Sequence, residues 1–357
     1  MNVVCPFCPL HCDDLQVGDD GAVNVRCDIA VRSFANAVNP SSARIGDKPA
    51  TLAEATRFVQ NQIQSKPPAV LSGSQPLSVA RRLHDMQADG LIDWHLSQTA
   101  THRSLRRTIS RDGVIAATLA DVKRHADCIW SIGNVDRKII PRIDEWLSPP
   151  QGQAVSFIAS GGITTRQLGD LLHAIRRGQS PIDPALTPVF DTLSNSRYLA
   201  VAWFDDGFDP IEAEASSAIL LDLISLLNEP QEDRDRRAVL LSFDPCQTIQ
   251  NVSLWRENRI LGDANELDLA ALIAGETIVV RLGQLPGRSD FVSAQLGGED
   301  PGPESAQVYI PVSVEGVHHT DMIVRGDSAV TLPLMATAKS ELPSAIDWLE
   351  SLFSASV

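Results

Sequence analysis

Four of the chain's six cysteines fall in its first 27 residues, as Cys5-Pro-Phe-Cys8-Pro-Leu-His-Cys12 and, after fourteen intervening residues, Cys27. Gaps of two and then three residues let one short loop present three thiolates while a neighbouring element supplies the fourth, a spacing that suits a [4Fe–4S] cluster. A structural zinc site with four thiolates usually repeats the two-residue gap, so zinc is the second alternative and no metal the third. In a reducing compartment a shared cation holds such thiols together better than disulfides do. Pro6 and Pro9 stiffen the loop. His11 is expected at its surface, because four cysteines already fill a coordination sphere. A segment of fewer than ~50 residues rarely builds an adequate core alone, and a metal would help to hold it folded. Cys128 and Cys246 stand apart in apolar runs and are expected to be buried as small hydrophobes.

The rest of the chain alternates short apolar runs with amphipathic helices. Thr51-Leu-Ala-Glu54 is a capping box opening a helix expected to run to about Ser65. Strands are expected at Ala69–Leu71, Ala126–Ile132, Ala154–Ala159, Tyr198–Phe204, Ala238–Phe243 and Thr277–Leu282. Helices are expected near Ser78–Gln87, after Thr118, after Thr164, through Ile219–Leu226, and over Leu342–Phe353. That alternation implies an α/β body of parallel strands with right-handed crossovers, in more than one sheet. Leu15–Val17 and Ala22–Val25 suggest a small hairpin around the cysteine loop. Residues 148–153, 229–237 and 297–303 have the composition of solvated loops.

With 30 basic against 45 acidic residues, the net charge of −15 repels phosphate backbones and argues against nucleic acid as a partner. No apolar run approaches the ~20 residues that span a bilayer, and no leader is seen, so a cytoplasmic protein without a membrane partner is expected. Hydrolytic chemistry finds little support. His318 and His319 with Asp321 suggest a metal pair, but adjacent histidines in a strand face opposite ways, and a polar turn is favoured. Ser160-Gly161-Gly162-Ile163-Thr164 lacks the marks of a nucleotide loop and reads as a tight turn capped by Thr164.

Cys5, Cys8, Cys12-Asp13-Asp14 and Cys27 resemble the amino terminus of the B-type polypeptide of formylmethanofuran dehydrogenase, in the molybdopterin (tungstopterin) oxidoreductase superfamily. The blocks Leu119–Asp127, Gln250–Trp255, Val308–Pro311 and Arg325-Gly-Asp327 extend the likeness nearly end to end. The resemblance implies a small Cys-bearing β-rich amino-terminal domain plus two Rossmann-like α/β domains, like domains I–III of formate dehydrogenase and DMSO reductase. It places them at 1–50, at 51–98 with 196–357, and at 99–195 as an insertion, and it implies Cys5, Cys8, Cys12 and Cys27 as metal ligands.

The chain also departs from that pattern. Where the dehydrogenases carry a Cys-His-Gly stretch whose thiolate binds the heavy metal, the corresponding residues are Thr101-His102-Arg103. A hydroxyl does not replace a soft thiolate. The family's pterin-contacting Trp-x-x-Gly-x-Pro appears as Trp255-Arg-Glu-Asn258-Arg-Ile260, without the small residue or the proline. Thr101 and His102, with Trp255 and Asn258, are therefore taken as vestigial, and molybdopterin or tungstopterin is not expected. Arg103, Arg106 and Arg107 beside His102 read as a relic of an anionic pocket, a partner-contacting patch or a solvated helix face.

The combination resembles the B-type polypeptide of the bacterial formyltransferase/hydrolase complex. What that implies is a non-redox structural subunit in one-carbon metabolism linked to tetrahydromethanopterin and methanofuran. Its partners would be the hydrolase (A), C and formyltransferase (D) subunits, which carry the chemistry. An active pterin-bearing dehydrogenase subunit and an iron–sulfur electron-transfer module are the alternatives.

Overall fold

The computed structural model describes residues 2–18, 20–63, 67–150, 153–230, 235–259, 277–283, 285, 291–327 and 330–354. Its strands are β1 Arg44–Ile45, β2 Lys48–Pro49, β3 Ala69–Ser72, β4 Asp93–Leu96, β5 Cys128–Ile132, β6 Ser156–Ser160, β7 Tyr198–Trp203, β8 Arg237–Ser242, β9 Val279–Leu282, β10 Val292–Leu296, β11 Ala306–Ile310, β12 Asp321–Val324 and β13 Thr331–Leu334. Its helices are α1 Asp28–Val38, α2 Leu52–Gln62, α3 Leu77–Ala88, α4 Ala100–Asp112, α5 Leu119–His125, α6 Ile143–Leu147, α7 Thr165–Arg177, α8 Thr187–Asn195, α9 Ala213–Leu227, α10 Gln247–Glu257 and α11 Ala345–Ser354.

The chain divides into two compact units. The first comprises Met1–Ser97, Pro245–Arg325 and Thr331–Val357; the second comprises Gln98–Asp244 and Gly326–Val330. The insertion expected at 99–195 thus runs on to Asp244. The reason is strand pairing: β7 pairs in parallel with β5, and β8 with β7, so both complete the second unit's sheet. Apolar periodicity marks a strand but does not say which sheet it joins.

In the first unit a seven-stranded sheet has the order β2-β1-β11-β10-β9-β3-β4. Strands β4, β3, β9, β10 and β11 are parallel, and β1 and β2 add antiparallel at one edge. Arg44↔Tyr309 and Ile45↔Val308 tie residues of the expected 1–50 domain into this same sheet. Its core gathers Val70, Leu83, Val280, Ile310, Trp348 and Leu349. The Thr51 capping box forms as expected, with the Thr51 hydroxyl accepting from Glu54 N–H and the Glu54 carboxylate from Thr51 N–H.

The amino-terminal segment differs from a β-rich domain. Among the described residues before Arg44, strand pairing is limited to the bridges Val3↔Leu15 and Val17↔Val23, and residues 28–38 form helix α1. The apolar runs there are two or three residues long and broken by Gly18 and Gly21, too short for a ladder.

The second unit is a four-stranded parallel sheet in the order β6-β5-β7-β8. Helices α4 and α7 pack against α9, while α5 packs against α6. Trp130, Trp203, Leu199, Leu220 and Leu240 lie in its core. Capping boxes at Thr118/Asp121 and Thr164/Gln167 start α5 and α7 where the sequence indicates. Segment 326–330 returns to this unit: Asp327 accepts the Leu119 N–H at 3.0 Å, and Gly326 O accepts the Asp244 N–H at 3.0 Å.

Candidate functional site

Parallel sheets bind ligands where the winding reverses, beyond the carboxyl ends of two neighbouring strands whose connections leave in opposite directions. In the second unit that place lies between β5 and β7. The turn after β5 is Gly133-Asn134, and the turn after β7 is Phe204-Asp205-Asp206-Gly207. The two turns close on each other. Asn134 gives its backbone N–H (2.6 Å) and side-chain amide (2.7 Å) to the Asp206 carboxylate. A Cβ at Gly133, whose φ is +86°, would sit 2.7 Å from Asp206 Oδ1 and 2.8 Å from both Gly207 N and Phe204 O. The protein fills this crevice with its own backbone and a carboxylate, which disfavours an anionic group there.

Asp205 organises the residues beside it. Thr99, the N-cap of α4, accepts the His102 N–H through its hydroxyl and donates that hydroxyl to Asp205 Oδ1. Thr101 also donates its hydroxyl to Asp205 Oδ1 and is 3% exposed. His102 places Nδ1 at 2.9 Å from the same oxygen and Nε2 at 2.9 Å from the Phe243 carbonyl, with the Trp203 ring edge-on at 5.0 Å.

Both imidazole nitrogens therefore face acceptors, an arrangement that only the imidazolium satisfies with two N–H donors. Burial opposes that charge. The hydrogen bond and charge of Asp205, with Asp244 and the Phe243 carbonyl, outweigh it and raise the His102 pKa. Burial likewise pushes the Asp205 carboxyl up, but the bonds and charge of His102 and the two threonine hydroxyls bring it below its ordinary value. A histidine with both ring nitrogens bonded offers no lone pair for a substrate proton. The Thr101 hydroxyl is spent on a carboxylate in the same way. The cluster is a structural ion pair that locks the start of α4 to the turn after β7.

The arginines beside His102 are placed by neighbours as well. Arg103 donates to Gln98 O at 2.8 Å, Arg106 lies buried 3.6 Å from Asp244, and Arg107 lies 3.6 Å from Glu214. Asp205 and Asp206 are not among the residues singled out from the sequence. The signal is nonetheless there: two acidic residues and a glycine directly after a strand of six apolar or small residues mark a carboxyl-end turn at a winding reversal.

In the first unit Cys5, Cys8, Cys12 and Cys27 are all buried and none is in a disulfide. The loop closes on itself through Cys5 N–H to Cys12 O (2.9 Å) and His11 N–H to Cys8 O (3.0 Å), with Phe7 edge-on to Phe34 of α1. Burial first, then the neighbouring cysteines, drives the Cys5 thiol far up and the Cys8 thiol to about 12. Four buried sulfurs suit a soft metal in kind. In placement they do not: among the described residues no group of three or more His, Cys, Asp or Glu side chains is arranged to hold a metal ion.

The surface position expected for His11 is not observed. It is 1% exposed, with φ of +40°, and its Nδ1–H donates to Cys5 O at 3.0 Å while Nε2 lies 3.3 Å from the Ser74 hydroxyl. Residues 73–74 follow β3, whose neighbour β9 marks this unit's own winding reversal. The histidine is buried because it ties the cysteine loop to that turn, a long-range contact that loop composition does not reveal.

Trp255 and Asn258 lie at the end of α10. Asn258 is the left-handed C-cap with φ of +55°, and Trp255 is 63% exposed on the helix surface. Ile260, the last residue of that stretch, lies outside the described residues, as do parts of the expected 148–153 and 229–237 loops and the end of the first helix at Ser65. His318 and His319 lie in a turn, where Val314 N–H donates to His318 Nδ1 at 2.9 Å and Ser313 Oγ lies 2.8 Å from His319 Nε2. Cys128 and Cys246 are buried among apolar side chains. No helix among the described residues is long and apolar enough to cross a membrane.

No family model matches the sequence, and no curated protein matches it. Among solved structures, a chain of the formyltransferase/hydrolase complex (FhcABCD) from Methylorubrum extorquens, crystallised with methylofuran, is similar in fold. The TM-score is 0.64 and the identity 20%, over 87% of this chain and 97% of that one. The likeness therefore spans both units and concerns their fold.

Proposed function

We propose that this chain is a non-redox structural component, of the B type, in a formyltransferase/hydrolase complex of methanofuran- and tetrahydromethanopterin-linked one-carbon metabolism. Its partners are the hydrolase, C and formyltransferase subunits, and its architecture is that of the molybdopterin-superfamily domains adapted to assembly. The observation that carries this function is the bond from Thr101 to Asp205. The position that the family resemblance assigns to a metal-binding thiolate holds a hydroxyl already committed to a buried carboxylate. The near full-length likeness to a chain of FhcABCD supports the same assignment. A pterin-bearing dehydrogenase role is disfavoured by the same bond, and by Asp206 occupying the crevice beside it.

No chemical step in this proposal runs through Cys5, Cys8, Cys12 and Cys27. The test is co-expression of the full chain with tagged hydrolase and formyltransferase subunits from the same genome. Elemental analysis and a formyl-transfer assay on the purified assembly follow. The chain is expected to copurify without stoichiometric molybdenum or tungsten. Either metal at one per chain, with carbon dioxide reduction, would overturn the proposal. Reversible bleaching of visible absorption on reduction would instead support an electron-transfer module.

A further inference from the structure

Among the described residues, the seven- and four-stranded sheets have four edges, and three are protected in the ways that keep native sheets from pairing with another chain. Edge strand β2 is two residues long and holds Lys48 and Pro49. Edge strand β4 carries Asp93, whose carboxylate lies 3.0 Å from His95 Nε2. Edge strand β8 is covered by its own chain, since Leu240 N–H donates to Ile115 O at 2.8 Å and Ala117 N–H to Leu240 O at 3.3 Å.

The fourth edge, β6, is different. Ser156-Phe157-Ile158-Ala159-Ser160 contains neither charge nor proline and lies in an uncharged run from Gln153 to Thr165. Ser156, Phe157 and Ala159 are exposed, Phe157 to 60%. Ser156 N–H donates to Asp127 O at 2.9 Å, and Ser160 O accepts from Gly133 N–H at 3.0 Å. The backbone groups of residues 156, 158 and 160 thus point toward β5. Those of Phe157 and Ala159 point outward by the alternation of a strand.

We propose that β6 is a dimerisation edge, at which two copies of this chain join antiparallel about a two-fold axis at Ile158 to make one continuous sheet. In that register Phe157 lies opposite Ala159 of the second copy, a large side chain facing a small one. These are the residues whose N–H and C=O groups point outward, so each pair exchanges two hydrogen bonds, ~4 in all. Ile158 meets its own copy as the close, non-hydrogen-bonded pair.

The absence of charge selects this occupant. About an axis at Ile158, Ser156 meets Ser160 of the second copy, Phe157 meets Ala159 and Ile158 meets itself, so the self-paired register sets no like charges opposite one another. In a chain of net charge −15, an edge without charge avoids adding local repulsion to the overall repulsion between two copies. Five residues a side fall short of the about 800 Å² per partner of a standard interface. The dimer is accordingly weak and reversible, with a Kd in the micromolar range or above. It rests on backbone geometry and sequence alone, independent of the function proposed above.

Sedimentation equilibrium of the full chain from about 1 μM to about 1 mM, with hydrogen exchange at the same concentrations, tests this. The expected result is a mass rising toward two copies, with protection of the Phe157 and Ala159 amides rising in step. Ala159→Pro removes an outward donor and leaves the bonds to β5, and Phe157→Lys sets a charge beside the axis. Each is expected to weaken the dimer at least about tenfold. Because Phe157 is exposed, the lysine variant folds normally even if the proline variant does not. A mass of one copy up to about 1 mM, a dimer that persists in Phe157→Lys, or protection that appears only on adding a different polypeptide would overturn the proposal.

Discussion

The two units reverse their winding in the same way, and they treat the crevice that results differently. Strand orders β4-β3-β9-β10 and β6-β5-β7-β8 are the same topology, with the reversal between β3 and β9 in one and between β5 and β7 in the other. In the second unit the gap is closed by backbone against backbone, with Gly133 pressed on Gly207 and Phe204 and two carboxylates bonded inward. In the first, the turn after β3 meets side chains: Leu285 Cδ2 would lie 2.8 Å from a Cβ at Gly73, and His11 reaches Ser74. One reversal is closed by rigid groups and the other by groups that can shift. A shared topology therefore places a crevice but does not decide whether a ligand can occupy it.

Substitution at the two glycines should expose that contrast most strongly. Gly133→Ala forces a Cβ against backbone atoms at a left-handed φ and should destabilise the second unit by about 3 kcal/mol or more. Gly73→Ala displaces only a leucine methyl and should cost about 1 kcal/mol. Urea unfolding of each variant, read by hydrogen exchange so that the units are resolved, makes the comparison. Equal costs would mean that the two crevices are equally rigid.

Asp205→Ala comes next. It leaves His102 and two hydroxyls without their common acceptor, and a loss of about 2 kcal/mol is expected, held down because the carboxylate is partly exposed to water. Thr101→Ala, which removes one of three donors, should cost less than Asp205→Ala. The reverse ranking would show that Thr101 has a role beyond holding Asp205.

The ion pair also sets a pH window. His102 has a raised folded pKa, so its contribution is complete below the unfolded value of about 6.5 and disappears as pH rises through the folded value. Asp205 has a lowered folded pKa, so its contribution is present above the unfolded value of about 3.9 and disappears as pH falls through the folded one. The second unit should be most stable between these limits, and Asp205→Asn should flatten both flanks of its urea midpoint against pH.

The first unit should respond differently. Burial, with Asp321 and Asp347 nearby, raises the Glu315 carboxyl to about 7. Its folded state holds the proton more tightly, so the first unit loses stability as pH rises from about 4.5 to about 7. Glu315→Gln should recover about 1 kcal/mol at pH 8 and nothing at pH 4. The smallest expected effect is at Trp255. Trp255→Ala should stay within about 0.5 kcal/mol of the parent, since the indole is on the surface. A larger loss would give that residue a packing role.

Much of the scaffold is legible in the residues. Thr51 with Glu54, Thr118 with Asp121 and Thr164 with Gln167 are local capping devices, complete within four residues, and each appears where the pattern puts it. The buried strands β5 and β7 announce themselves as apolar runs for the same reason. Helix α1 is not legible in this way, because its N-cap, Cys27, makes no side-chain capping bond and so carries no local signature.

The information carried by the residues alone is therefore local and compositional: an α/β chain, its caps and the thiol cluster. Three-dimensional packing was needed to assign β7 and β8 to the second unit, to bury His11, and to gather Thr99, Thr101 and His102 around Asp205. The cause is separation along the chain. Asp205 stands about a hundred residues from the hydroxyls it binds, and no spacing rule that works within a helix or turn reaches across a sheet.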